Sequence, residues 1–246
     1  MADSAENRSH ARATLEARLG YVFEDRSLLD RALTHRSAAA DHNERLEFLG
    51  DGVLNFVVAA ALFAQCPEAP EGDLSRLRAA LVRERTLAQI ADEIELGQAI
   101  VLGPGELRNG SRRRASILAD GVEALLGAIF QEGGFDAARG VIAHLYAERL
   151  ANLPSAASLK DAKTRLQEWL QARARNRPEY ELVRVTGADH CQHFVSRCVL
   201  ADTGLAVEGE GGGRRKAEQD AARRMLEMLD DDATDTDTAV IKDAPQ

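Results

Sequence analysis

Residues 43–54 carry the pattern that decides the fold of this chain: Asn43-Glu44-Arg45-Leu46-Glu47-Phe48-Leu49-Gly50-Asp51-Gly52-Val53-Leu54. Three carboxylates, Glu44, Glu47 and Asp51, interrupt an otherwise apolar run. On a helix of 3.6 residues per turn they lie within about 60° of one face. The apolar side chains Leu46, Leu49 and Val53 lie on the opposite side. The stretch therefore predicts a helix with an acidic face and a separate side for the core.

Two interpretations of this acidic face are open. Acidic residues on a helix most often form a solvated face. However, like charges along one stripe repel each other, and a bound cation would remove that repulsion. Carboxylate oxygens are the ligands that Mg²⁺ prefers, usually with several waters retained.

A second acidic pair favours the metal interpretation. Asp120 and Glu123 lie three residues apart, on one helix face, within the apolar run Ile117-Leu118-Ala119-Asp120-Gly121-Val122-Glu123-Ala124-Leu125-Leu126-Gly127. Charged side chains are rarely buried in apolar helices unless they are paired or bind a metal. If this helix faces the first one, their carboxylates surround one point. The two stretches therefore predict a divalent-metal site.

The rest of residues 1–150 has an almost entirely helical pattern. A Ser-x-x-Asp sequence from Ser27 to Asp30 is typical of a helix start. Further helices are predicted over residues 46–64, 74–94 and 135–150, and around Asp120 up to Gly133-Gly134. Residues 97–114 are predicted to be a loop. Residues 151–157 are small and include Pro154, which is typical of a short linker.

The pattern changes after this linker. A helix that opens at Ser158-x-x-Asp161 precedes three short runs of β-branched and aromatic residues, at 180–185, 194–200 and 205–208. A second helix follows over residues 216–229, so the predicted order is α-β-β-β-α. The Gly-rich stretch 209–219 puts three cations at the start of this helix, where backbone N–H groups already favour phosphate: Arg214, Arg215 and Lys216.

The net charge of −9 is unevenly distributed along the chain. Residues 1–157 carry a net charge of −6, residues 158–229 carry +2 and residues 230–246 carry −5. For nucleic-acid binding the local charge matters more than the total. Residues 158–229 are therefore the only net-positive part of the chain, and the resemblance described below assigns RNA binding to this part. The acidic tail lacks apolar periodicity and is predicted to be disordered.

Four blocks resemble, in order and spacing, the ribonuclease III family of double-strand-specific endoribonucleases. They are Leu33-Thr34-His35-Arg36-Ser37, residues 43–51, residues 71–82 and the segment of Asp120 and Glu123. The second half resembles the double-stranded-RNA-binding domain that usually follows in this family. The resemblance covers roughly residues 8–229. Two positions depart from the family pattern: Gly52, where bacterial relatives commonly have Ser or Ala, and Gly213, where Ser or Thr is usual.

The resemblance implies an all-α N-terminal endonuclease domain over residues 8–150, a linker over 151–157, an α+β double-stranded-RNA-binding domain over 158–229 and an acidic disordered tail over 230–246. The implied activity is hydrolysis of phosphodiester bonds in double-stranded RNA with Mg²⁺, for which Mn²⁺ would substitute. The implied products have 5′-phosphate and 3′-hydroxyl ends. The implied substrates are ribosomal RNA precursors and other structured transcripts, including messenger and transfer RNAs.

Roles for the acidic residues follow from the chemistry together with the resemblance. Glu47, Asp120 and Glu123 are the expected metal ligands, because a divalent ion can screen the phosphodiester charge and activate a water. Asp51 and Glu123 are the expected catalytic residues. Glu44 and Glu71 are expected to support them.

Residues that contact RNA are expected in the second domain. By resemblance, Gln167 and Glu168 face one minor groove and His190 reaches the next, because such domains recognise the shape of A-form RNA. A loop histidine is as often merely solvated, so both interpretations of His190 stay open. Residues 112–114, all arginine, form either a charged loop or a further phosphate contact. Arg214, Arg215 and Lys216 are expected to contact phosphate.

A homodimer is the expected assembly. A duplex needs one cut in each strand, and a two-fold axis supplies two equivalent sites. Phe48 lies about 40° from Glu44 on the acidic side of the helix. The resemblance suggests that Phe48 inserts into a pocket of the partner subunit, whereas an ordinary core position is the alternative.

The sequence also predicts a cytoplasmic protein with no membrane association. No apolar run approaches the ~18–20 residues of a membrane span, and residues 1–13 lack the apolar stretch of a signal peptide. The three cysteines, Cys66, Cys191 and Cys198, have no metal-ligand spacing and are typical of a reducing compartment.

Three classes of function remain open from the sequence. The first is the metal-dependent endoribonuclease. The second is a catalytically silent RNA-binding protein, which would be expected to have lost some of the acids. The third is a purely structural helical dimer, against which the Gly-rich basic stretch argues.

Overall fold

The computed structural model describes residues 2–108, 111–156, 158–188 and 191–239. The chain divides into two compact units, Met1–Leu159 and Lys160–Gln246. The first unit is helical, and the second has two helices and a three-stranded antiparallel sheet in the order α-β-β-β-α. This confirms the predicted fold class.

The first unit contains eight α-helices within its described residues. They are α1 (Ala2–Leu19), α2 (Arg26–Leu33), α3 (Glu44–Gln65), α4 (Glu71–Val82), α5 (Glu84–Glu93), α6 (Leu96–Ala99), α7 (Pro104–Arg108) and α8 (Ala115–Ala151), with a 3₁₀ turn at Ser111–Arg113 before α8. Within α8, Gly134 has a left-handed φ of 75°, so α8 consists of two helical segments. The sequence predicts this break at Gly133-Gly134.

Several helix boundaries differ from those that the sequence predicts. The N-cap of α2 is Asp25, whose carboxylate accepts hydrogen bonds from the backbone N–H groups of Ser27 and Leu28. The single helix predicted over residues 74–94 is broken at Arg83, which has an extended ψ of 153°. The predicted loop over residues 97–114 contains α7 and the 3₁₀ turn.

Helices α3 and α8 form the centre of the first unit. The buried side of α3 includes Val53, Leu54, Val57, Val58 and Leu62. Leu49, which the sequence places on this side, is only half-buried. In the part of the chain that the structure describes, α3 is the one helix long and apolar enough to span a membrane by length and composition. The prediction that no apolar run approaches the length of a membrane span is therefore wrong for α3. The apolar side of α3 nevertheless packs in the protein core.

The second unit packs α9 (Ala162–Gln171) and α10 (Arg214–Ala239) with a sheet of β1 (Glu179–Thr186), β2 (His193–Leu200) and β3 (Leu205–Gly211). Its core includes Leu166, Leu170, Cys198, Ala221 and Met225. Helix α9 begins after Asp161, which caps it by accepting from the N–H of Thr164. It therefore does not begin at Ser158.

Helix α10 continues past its predicted end. The sequence places that end at Leu229 and a disordered tail over residues 230–246. The helical backbone instead extends to Ala239, and residues 240–246 lie outside the described part. No glycine or proline interrupts residues 214–239, so nothing in the local sequence ends the helix.

Candidate metal centre and nucleic-acid interface

Three carboxylates from α3 and α8 come together in the first unit. Glu47, Asp120 and Glu123 each offer an oxygen, and these atoms all lie within 4.8 Å of one another. We call these three residues the acidic cluster. All three side chains are half-buried, at the place where the two helices cross. The sequence predicts these residues as metal ligands, and the fold brings them to one point.

Two glycines set the distance between the helices. A methyl group on Gly50 would lie 1.8 Å from the carbonyl oxygen of Glu123, and one on Gly127 would lie 2.1 Å from the carbonyl oxygen of Leu46. No side chain fits into either space, so the two backbones are in direct contact. This contact places Glu47, one turn before Gly50, beside Glu123. Sequence reasoning missed the role of both glycines, although a glycine inside an apolar helix often marks a packing constraint.

The acidic cluster is electrostatically unfavourable without a cation. Burial raises the pKa of Glu123 to about 8, and the charges of Asp51, Glu47 and Asp120 add to this. Burial is also the main cause of the raised pKa of Glu47, and the charge of Asp120 raises this pKa further. The donor set is entirely carboxylate oxygen, which fits a hard divalent cation such as Mg²⁺.

The remaining predicted acids lie around the cluster or away from it. Asp51 accepts a hydrogen bond of 2.7 Å from the side chain of Asn55, and its charge acts on Glu123. The carboxylate of Glu71 accepts a hydrogen bond from Ser75 on its own helix α4, and it is not one of the three that converge.

A cleft that includes Glu47 and Asp120 of the cluster is lined by acidic and basic side chains. We call it the acidic cleft. Its wall is lined by His35, Arg36, Ser37, Asn43, Glu44, Glu47, Glu106, Arg114, Ser116, Ile117 and Asp120. Glu44 does not join the cluster but accepts a hydrogen bond of 3.0 Å from Arg36. Arg36 belongs to one of the four blocks that resemble the family, but the sequence alone predicts no role for it. Arg114, whose role the sequence leaves open, lies on the same wall.

The start of α10 forms the basic part of the second unit. Arg214, Arg215 and Lys216, which the sequence predicts as phosphate-binding residues, are exposed there. The carboxylate of Glu218 accepts from Arg214 at 2.9 Å and from Lys163 of α9 at 2.7 Å. Lys163 was not predicted, and its position in the α9 sequence gave no signal that it lies beside α10.

The other predicted RNA contacts are only partly described. Gln167 is half-buried on α9, and Glu168 is exposed. Glu168 accepts hydrogen bonds of 2.7 and 2.6 Å from the amino group of Lys160. His190 lies outside the described residues.

Phe48 lies on the surface of α3. Its side chain is 84% exposed, which excludes a core position within this chain. It lines an apolar cleft together with Leu49, Phe56 and Phe135, and the rings of Phe56 and Phe135 pack edge to face. Monomeric proteins rarely leave such a contiguous apolar surface open to water.

Comparison with known proteins decides the family. A family model described as Ribonuclease-III-like matches residues 25–150, and the double-stranded RNA binding motif matches residues 162–229. The chain belongs to the ribonuclease III family. The Ribonuclease 3 of Alkalilimnicola ehrlichii is 57% identical over 217 residues, which cover 88% of this chain and 95% of that protein. The Ribonuclease 3 of Xylella fastidiosa is 51% identical over 215 residues, covering 87% and 95%.

A solved structure agrees with this membership. The nuclease domain of ribonuclease III from Campylobacter jejuni superimposes with a TM-score of 0.55 at 45% sequence identity, covering 56% of this chain and 98% of that domain. This ribonuclease III family member therefore combines an endonuclease unit with a double-stranded-RNA-binding unit. Membership identifies it as an endonuclease of double-stranded RNA from a metal-dependent family.

Proposed function

We propose that this chain is a Mg²⁺-dependent endoribonuclease that cuts both strands of double-stranded RNA as a homodimer. The convergence of Glu47, Asp120 and Glu123 within 4.8 Å is the observation that supports it. Mg²⁺ is the proposed ion because the donor set is all oxygen, and Mn²⁺ should substitute because it accepts the same ligands.

The proposed mechanism assigns each acid a task. Glu47, Asp120 and Glu123 would hold the divalent ion, whose charge would offset that of the phosphodiester and favour attack by water. Asp51, fixed by its hydrogen bond from Asn55, would orient that water. Breaking the bond to the 3′-oxygen leaves a 3′-hydroxyl on one fragment and a 5′-phosphate on the other. Glu44 and Glu71 stay supporting acids in this proposal.

The second unit would hold the duplex. Arg214, Arg215 and Lys216 would contact phosphates across the major groove. Gln167 would reach a minor groove, while Glu168 would first have to release Lys160. His190 stays a predicted contact for the next minor groove.

Dimerisation would supply the second cut. Phe48 and the apolar cleft beside it would face the same surface of a second copy across a two-fold axis. Insertion of Phe48 into the partner would remove an exposed aromatic ring from water. In support, the Campylobacter jejuni nuclease domain has structural flexibility in a region involved in dimer formation.

The proposed setting follows from the family. Ribosomal RNA precursors and other structured transcripts, such as messenger and transfer RNAs, are the proposed substrates. The cytoplasm is the proposed location, since these substrates are found there.

A hairpin-cleavage assay tests the proposed activity. Wild type, Glu123→Gln and Asp136→Asn would be incubated with a labelled RNA hairpin of about 40 base pairs, longer than the ~16 base pairs that one RNA-binding domain spans. Asp136→Asn is the control, because it also replaces a carboxylate of α8 by an amide, but at a side chain that is 86% exposed. We expect wild type and Asp136→Asn to cut with Mg²⁺ or Mn²⁺ but not with Ca²⁺.

The Glu123→Gln variant should bind the hairpin without cutting it, because its binding unit is unchanged. End-labelling of the products should show 5′-phosphates. Tight binding by wild type without cutting under any divalent ion would refute the proposal and place the chain among the silent RNA-binding proteins.

A further inference from the structure

Arg36 lies between α2 and α3 on the wall of the acidic cleft, and the proposed mechanism gives it no task. Both sequence neighbours of Arg36 are held by hydrogen bonds. The N–H of His35 donates to the carbonyl of Val101 at 3.0 Å, and the N–H of Gly103 donates to the hydroxyl of Ser37 at 2.9 Å. The Arg36 side chain itself is 69% exposed. The segment therefore presents a cation to solvent from a rigid base.

Glu44 is the partner of this guanidinium in the structure. The Nη1 atom of Arg36 donates to Oε1 of Glu44 at 3.0 Å, and the Glu44 side chain is 46% exposed. An ion pair between two exposed side chains contributes little to stability, because water screens both charges and the pair restricts two long side chains. Another anionic acceptor can therefore displace Glu44 at little cost.

The acidic cluster creates a need for such a cation. Its carboxylates repel the phosphate groups on either side of the bond to be cut. The arginines on the cleft wall are Arg36 and Arg114. Glu47 and Asp120 line the same cleft, so Arg36 shares it with two of the three cluster residues.

We propose that Arg36 exchanges Glu44 for a phosphate of the RNA strand next to the cleaved bond. A guanidinium suits this task because two parallel N–H groups can bind a phosphate in bidentate fashion. Its charge also offsets the repulsion between that phosphate and the acidic cluster. This inference rests on the proposed function and adds a substrate-binding residue to it.

Steady-state cleavage by Arg36→Gln tests the exchange. We expect KM for the hairpin to rise about tenfold, which corresponds to 1.4 kcal/mol, with kcat nearly unchanged. Arg31→Gln is the matched control, because Arg31 pairs with Asp41 at 2.7 Å and does not line the acidic cleft. It should keep the wild-type KM. Calorimetric titration with Mg²⁺, without RNA, should show that Arg36→Gln binds the ion at least as tightly as wild type, because a repelling charge is gone.

Arg36→Lys separates charge from geometry and replaces Arg36→Gln if that variant does not fold. Lysine keeps the charge but loses the bidentate fork, so KM should rise while Mg²⁺ affinity stays at the wild-type value. The inference would be overturned if Arg36→Gln and Arg36→Lys both had the same KM as wild type and Arg31→Gln. Wild type that cuts nothing would instead refute the proposed function, and hairpin affinity in Ca²⁺ would then decide whether Arg36 binds RNA.

Discussion

At the scale of single residues, Glu123 couples proton binding to metal binding. Burial and the charges of Asp51, Glu47 and Asp120 raise its pKa to about 8. Near neutral pH the metal-free protein therefore holds a proton at Glu123, and an incoming cation has to displace it. Metal binding should consequently release protons and weaken as the pH falls.

The same pKa predicts how the stability of the metal-free protein depends on pH. The unfolded chain loses this proton near the ordinary pKa of 4.5, whereas the folded protein keeps it until about 8. Between these values the folded state binds more protons, so stability falls as the pH rises. The Glu123→Gln variant does not lose stability in this way. Its melting temperature should therefore exceed that of wild type at pH 8 and match it near pH 4.5.

Thermal unfolding followed by circular dichroism in EDTA measures this difference. Mg²⁺ should then raise the melting temperature of wild type at pH 8 and leave that of Glu123→Gln nearly unchanged. A difference between the two proteins that does not vary with pH would contradict the coupling of Glu123 to proton binding.

At the scale of secondary-structure elements, the contact between α3 and α8 determines whether the acidic cluster exists. The ligands come from two helices far apart in the sequence, and Gly50 and Gly127 let the backbones touch. A larger residue at either position would push the helices apart. The spacing of the ligands therefore depends on residues that bind nothing themselves.

We expect Gly50→Ala to destabilise the protein by about 1–3 kcal/mol, which is typical of an overpacked core. It should also weaken Mg²⁺ binding, although every carboxylate is retained. Gly140→Ala is the matched control, because Gly140 lies on α8 with no atom within 4 Å of the added methyl group. This control should stabilise α8 by ~0.5–1 kcal/mol through its higher helix propensity. Urea unfolding and metal titration measure both effects, and equal stability of the two variants would show that the helices do not depend on the close contact.

At the scale of the whole molecule, the exposed aromatic surface of α3 and the charge distribution have different consequences. Phe48, Phe56 and Phe63 are 84%, 62% and 74% exposed along this helix, which indicates an interface. Charge separates the two units, since the net-positive segment is the RNA-binding one. In the proposed function, the surface for dimerisation therefore differs from the basic surface for RNA in the second unit.

Truncation of Phe48 should weaken the proposed dimer. An aromatic ring that fills a partner pocket typically contributes 2 kcal/mol or more, so Phe48→Ala should raise the dimer dissociation constant roughly thirtyfold or more. Val22→Ala is the control, because Val22 is 66% exposed but does not line the apolar cleft. Sedimentation equilibrium over a concentration series measures both, and an unchanged dissociation constant for Phe48→Ala would exclude it from the interface.

The local pattern of the sequence was sufficient for much of this protein. Helical spacing places Glu44, Glu47 and Asp51 near one face, and the same spacing pairs Asp120 with Glu123. The strands of the second unit follow from short β-branched runs between turn signals, and the break in α8 follows from a glycine pair. These features depend on residues a few positions apart, whose relative directions are fixed by backbone geometry.

Only the tertiary structure decided which residues meet. It joined Glu47 to Asp120 and Glu123 through the contact of Gly50 and Gly127, left Glu44 with Arg36, and brought Lys163 of α9 beside Glu218 of α10. Glu71, which the sequence predicts as a supporting acid, accepts a hydrogen bond from Ser75 on α4 instead. Contacts between distant segments depend on how helices pack, and local periodicity does not encode the packing distance. The sequence by itself therefore determined the candidate ligands, and packing determined the site.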